Sequence, residues 1–241
     1  METNNDNFNI FSQSHQQVGD STKAFMVNVF SWMFAALTIT AVMSYLFGTN
    51  LSLTTMLVGE TGMKPLGYVV MFAPIGFVLL MSFGFNKLSY SVLLILFIAY
   101  AIIMGISLSF IFLIYTEGSI YVTFGVSALM FGIMALVGYT TNTDLTRLGN
   151  ILMMALVGMI IAGVVNFFKK SDTMSYIISF IGVIVFTGLT AYDVQKLKNI
   201  GSGAEYGTES TNKLAIMGAL NLYLDFINLF LSLLRLFGSR K

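Results

Sequence analysis

Seven stretches of this chain are long and apolar enough to cross a lipid bilayer, which leaves few folds open to it. They run from Ala24 to Phe47, Leu66 to Phe85, Tyr90 to Tyr115, Ile120 to Tyr139, Leu148 to Phe168, Met174 to Asp193 and Leu214 to Phe237. A hydrocarbon core roughly 30 Å thick takes about 20 helical residues to cross. Inside it the backbone has no water to bond, so a spanning segment is either a helix or a strand of a closed barrel. Barrel strands are about 10 residues long and alternate in polarity. These runs are longer and do not alternate in polarity. With 56% hydrophobic and 10% charged residues, the chain also has too little charge to solvate a globular surface. Most links are short, so the expected fold is all-α, a polytopic membrane protein with seven transmembrane helices in a single bundle. That bundle covers residues 24–238, after a polar leader expected to be disordered (1–23) and before a short basic tail (239–241).

The leader, rich in Asn, Gln and Ser, lacks the basic and short apolar regions of a signal peptide, so the first span is expected to act as its own uncleaved signal. There is no cysteine, which excludes disulfides, thiolate metal sites and cysteine nucleophiles. The single histidine, His15, sits in the leader, and no His/Cys cluster or phosphate-binding glycine loop points to a metal enzyme or a nucleotide. A net charge of +1 offers no basic surface for nucleic acid. Orientation rests on the loops. With seven crossings, one side carries Lys23, Lys87, Arg147, Lys196, Lys198 and Lys213, and the other Lys64, Lys169 and Lys170. That bias puts the N-terminus in the cytoplasm. Arg235, Arg240 and Lys241 cancel it if the last run crosses, and reinforce it if that run turns back; its length favours a crossing.

Pro74 is expected to bend the second span. Gly158 and Ala162, four apart, suit close helix packing, while Gly182 and Gly188 serve either packing or mobility. The seventh span is the most organised. Gly218, Asn221, Asp225, Asn228, Ser232 and Arg235 recur at intervals of three and four and form one polar stripe. Asp225 lies near its middle, where an aspartate is unfavourable by roughly 2.5–3.5 kcal/mol. Asn221 and Asn228, one turn either side, are placed to donate hydrogen bonds to it. The sixth span ends in a second acid, Asp193, with Thr187 and Thr190 continuing a weaker polar track.

Helices joined by one loop tend to pack side by side, so both aspartates are candidates for one cavity. Asp193 lies about 10 Å from a helix end at Ile200, and Asp225 about 17 Å along from Leu214, a mismatch that tilt, side-chain reach or water would have to close. Two carboxylates in contact do not both ionise easily and share a proton near neutral pH. Ionised, they would push the helices apart and leave an anionic constriction. Two aspartates supply at most four oxygens, fewer than calcium prefers, so any calcium site there is weak and transient, which suits permeation better than storage. Lys87 and Arg147 are candidates for a basic latch on the closed pair. The competing reading is that both aspartates bond to hydroxyls and amides and only fix helix packing.

The runs GISLSFIFLIY, GYTTNTDLTRLG, TGLTAYDVQKLK and LNLYLDFINLFLSLLRLFG together resemble the bacterial branch of the Bax inhibitor-1 family, over roughly residues 24–238. The resemblance implies a seven-helix protein of the bacterial inner membrane that leaks calcium in a pH-dependent way, without enzyme activity or cofactor. Its paired aspartates of helices six and seven, the sensor, map onto Asp193 and Asp225; Asn221, Asn228 and Thr190 are supporting polar groups by helical spacing alone. The chain departs from the family pattern in the second span, which holds no acid, and in FGFNKLSY, where Lys87 is the only base. The stretch NIGSGAEYGTES also lengthens the loop between the aspartate helices.

Three other classes were weighed. A retinal protein needs a mid-membrane lysine in its last helix, where only Lys213 at the edge is available. An intramembrane aspartyl protease wants a GxGD-type turn, which is absent. The third is a non-conducting regulator: bacterial relatives are linked to a membrane-anchored quality-control protease, and the polar leader would be its handle.

Overall fold

The computed structural model describes the backbone of residues 3–59, 62–205 and 207–241, with side chains from residue 19 onward. The helices are α1 (Thr3–Thr49), α2 (Leu51–Leu57), α3 (Pro65–Gly84), α4 (Tyr90–Leu108), α5 (Ile111–Ile114), α6 (Glu117–Thr140), α7 (Thr146–Lys169), α8 (Asp172–Gly203) and α9 (Glu209–Phe237). A two-residue hairpin, β1 (Val58–Gly59) with β2 (Gly62–Met63), interrupts the α2–α3 link. Among the described residues seven helical segments are long and apolar enough to cross a membrane, from Gly19–Thr49 through to Glu209–Phe237. The protein is an all-α polytopic membrane protein, and its last run forms a full-length spanning helix.

Helix α1 starts at Thr3, so the leader's backbone continues into the first span. The expectation of a disordered leader falls mostly on residues 1–18, whose side chains lie outside the described residues. At its end, Ser21 Oγ donates to Ala204 O at 3.1 Å, tying α1 to the α8–α9 link.

Helix α9 is the axis of the bundle. In its most apolar window 67% of residues are buried, against 6% for α7. It packs on α8, α1, α6 and α4, whereas α3 leans chiefly on α4 and α7 on α8. The sequence explains this placement, because α9 carries an intramembrane acid and two asparagines that lipid cannot solvate. Peripheral α7 turns Met154, Ile161 and Phe168 outward, as a lipid-facing helix should.

Lipid tails are as apolar as leucine, so close packing and interhelical hydrogen bonds hold such a bundle together. Thr40 Oγ1 of α1 donates to Ala101 O of α4 at 2.9 Å and accepts from Tyr223 OH of α9 at 2.8 Å. Nearby, Gly105 lies where a Cβ would sit 2.7 Å from Thr40 O, and Gly138 of α6 abuts the Ala191 backbone of α8. Gly182, Gly188 and Gly218 likewise meet Ser232, Leu152 and Leu197, so the glycines of the sixth span serve packing. The expected contact at Gly158 is not made, since a Cβ there would meet nothing within 4 Å. Pro74 lies inside α3, and the helix continues through it to Gly84.

Two boundaries differ from the apolar runs. The third span breaks after Leu108, where Ser109 Oγ donates to Ile106 O at 2.7 Å, before α5 resumes. The sixth continues past Asp193 to Gly203. Charge ends an apolar run but not a helix: Val194, Leu197 and Gly201 stay buried while Lys196 and Asn199 are exposed, an amphipathic last turn and a half.

That extension clamps the α6–α7 turn. Buried Gln195 accepts from Leu145 N and donates to Thr143 O, both at 2.8 Å. Lys198 Nζ donates to Tyr139 O at 2.8 Å, where cations suit a helix C-terminus. Asp144 accepts from Thr146 N at 2.9 Å and Thr146 Oγ1 at 2.6 Å, bonds that hold its carboxyl below the usual carboxylate range. Replacing Gln195 by Ala strips partners from two backbone groups. The expected cost is about 2 kcal/mol, visible as a lower thermal midpoint in detergent; an unchanged midpoint contradicts the clamp.

Candidate functional site

Helices α8 and α9 run antiparallel, and two close contacts set their register: Leu197 against Gly218, and Gly182 against Ser232. Counted from the first contact, Asp193 lies four residues along α8 and Asp225 seven along α9. The difference of three residues is about 4.5 Å of helix rise, within reach of two side chains. The carboxyls come together: Asp193 and Asp225 lie close enough to act on each other as hydrogen-bonding groups, and the Asp193 charge is felt at Asp225. The larger mismatch expected from the sequence came from measuring depth from separate points on each helix, Ile200 and Leu214, rather than from the level at which the two helices touch.

Asp225 is 6% exposed and Asp193 half-buried. Their contact has a definite protonation requirement. Two ionised carboxylates have no donor between them, and Asp225 Oδ2 is then buried without a partner. With one proton on the pair, the same contact becomes an O–H···O bond.

The pair faces a cavity of about 670 Å³ between α7, α8 and α9. One wall is the stripe expected from the sequence: Asn221, Asp225, Asn228, Ser232 and Arg235 all line it. The opposite wall is apolar, from Met153, Leu156, Met159 and Ile160 of loosely packed α7. A polar track beside an apolar, lightly held helix is an arrangement that admits water without rebuilding the core.

Other expected roles are redistributed. Asn228 Nδ2 donates to Leu224 O at 2.8 Å, a bond to its own helix rather than to Asp225. Asn221 lines the cavity and is exposed to it. Thr190 is fully buried off the cavity, its hydroxyl donating to Phe186 O at 2.7 Å. Lys87 and Arg147 are exposed and neither lines the cavity, so the pair's basic neighbours are others. Lys196, one turn beyond Asp193 on α8, acts electrostatically on it, with Nζ 6.0 Å from the Tyr192 ring centroid. Arg235 stands at the far end of the stripe. The spacing of Lys196 from Asp193 was the available signal in the sequence, but Lys196 reads first as a loop charge, whereas Arg235 already belongs to the stripe expected from the spacing. Among the described residues no group of three or more His, Cys, Asp or Glu gathers to hold a metal ion.

The chain is similar to known proteins over nearly its whole length. A family model described as inhibitor of apoptosis-promoting Bax1 matches residues 22–241. The inner membrane protein YbhL of Escherichia coli is 43% identical over 231 residues, covering 95% of this chain and 97% of its own. An uncharacterized protein of Borreliella burgdorferi is 41% identical over 230 residues, 95% of this chain and 97% of that one. Another, of Rickettsia prowazekii, is 42% identical over 227 residues and 92% of each chain.

Proposed function

Because the chain belongs to the Bax inhibitor-1 family of integral membrane proteins, we propose that it is a pH-sensitive cation leak, with calcium as a permeant ion and Asp193 and Asp225 as its sensor. The supporting observation is the contact between the two carboxyls on the wall of a cavity that continues along the polar stripe of α9. With one shared proton the pair carries a single negative charge and a hydrogen bond that draws α8 and α9 together. Raising the pH removes that proton, and two negative charges then repel in a poorly hydrated site. The contact loosens and the lining becomes more attractive to cations, so the leak rises with pH. Four carboxyl oxygens bind calcium too weakly to trap it, which favours passage.

The setting is the inner membrane, as the name of the Escherichia coli relative says of that protein, with the N-terminus in the cytoplasm from the loop charges. No enzymatic step and no cofactor is called for. The test is calcium flux into proteoliposomes loaded with a calcium-sensitive dye, for wild type and for Asp193→Asn with Asp225→Asn, across pH. A double variant that leaks and titrates like wild type removes the sensor. A wild type that passes no cation at any pH favours the regulator of a membrane protease.

A further inference from the structure

The cavity does not end at the acid pair. From Asp225 the stripe continues through Asn228 and Ser232 to Arg235, ten residues and about 15 Å along α9, half the thickness of a hydrocarbon core. Arg235 lines two spaces: this cavity, and a surface pocket of about 400 Å³ with Asp172, Thr173, Ser175, Tyr176 and Arg240. It therefore stands where the inner cavity meets the membrane face at which α9 ends. That mouth holds two guanidiniums and one carboxylate, a net positive charge. Inside it lies the nine-tenths-buried Asp225, whose Oδ2 lacks a partner. At this level an arginine also suits an interfacial anchor; what sets Arg235 apart is that it borders the cavity as well.

We propose that Arg235 is the charge gate of the cavity at this face, holding back cations at the mouth of a path whose interior attracts them. The proposal rests on the cavity being water-accessible, as the leak reading requires, and adds the residue that limits its throughput. A fixed charge at a narrow mouth changes the local concentration of small ions by about tenfold, and for a divalent cation the effect is squared.

The absence of cysteine makes the chain a ready background for thiol labelling. Ser232→Cys and, separately, Asn228→Cys are reconstituted in proteoliposomes and treated with cationic and anionic methanethiosulfonate reagents of similar size. The readout is the ratio of the two labelling rates, which cancels any change in thiol reactivity. Arg235→Gln is expected to shift that ratio about a hundredfold toward the cationic reagent, about tenfold from each sign, and to raise calcium flux, while Arg235→Lys leaves the ratio near wild type. A ratio that Arg235→Gln leaves unchanged at both cysteines overturns the gate while the leak reading stands. If neither cysteine is labelled at all, the water-filled path fails and the gate falls with it. If the ratio shifts but no variant passes calcium, Arg235 governs ionic access and the leak reading alone is wrong.

Discussion

Calcium flux through proteoliposomes carrying Asp193→Asn and Asp225→Asn together is expected to lose its rise with pH and, at alkaline pH, to fall about tenfold below wild type. The amides keep the size and hydrogen bonding of the protonated pair but cannot ionise. At pH values where wild type carries two charges, the variant carries none. Two unit charges about 4 Å apart repel by on the order of 4 kcal/mol at an effective dielectric constant of 20. That is enough to move a two-state equilibrium roughly a thousandfold. The repulsion, not the mere presence of oxygen atoms, is thus the part the variant removes. Each single variant leaves one carboxyl beside an amide that can donate to it, so each should flatten the profile as well. A single variant that keeps the wild-type pH dependence would place the titrating group outside the pair.

The second large effect concerns folding. Gly138→Leu is expected to lower stability by at least about 3 kcal/mol, or to abolish the folded protein in detergent. Gly138 lies on α6 against the Ala191 backbone, so a side chain there meets main chain rather than the movable tip of another side chain. The helices can only separate, and with them go the contacts that seat Gln195 and Lys198 on the α6–α7 turn. Gly132, six residues earlier on the same helix, is the matched control. It is exposed, and a Cβ there meets nothing within 4 Å. Gly132→Leu should be neutral or mildly stabilising in thermal unfolding. Equal losses at the two sites would show that the cost at Gly138 is general to the helix and not to its contact with α8.

The clamp also accounts for two of the segments that carry the family resemblance. GYTTNTDLTRLG and TGLTAYDVQKLK interlock: Gly149 abuts the Tyr192 ring, Gln195 bonds both sides of Asp144, and Lys198 closes on Tyr139. Their pattern is therefore largely architectural, although Asp193 sits in the midst of it. Of the second motif, the sequence points only to Asp193, with Thr190 beside it, because an intramembrane acid stands out against an apolar run. Gln195 and Lys198 gave no comparable signal, since a polar residue just past an apolar run reads as a loop.

Much was determined by the sequence alone, and for one physical reason: the bilayer makes burial of backbone and charge so costly that run length and polarity leave few solutions. The number of spanning helices, the polar stripe of α9 and the oddity of Asp225 followed directly. The tertiary structure decided what depends on register between helices. It brought Asp193 to Asp225 by setting Leu197 on Gly218 and Ser232 on Gly182, left Lys87 and Arg147 away from the cavity, and put Lys196 and Arg235 on its wall. Periodicity fixes which residues share a helix face, but the level at which two faces meet is a matter of a few ångströms of close packing between small residues, which no single helix contains.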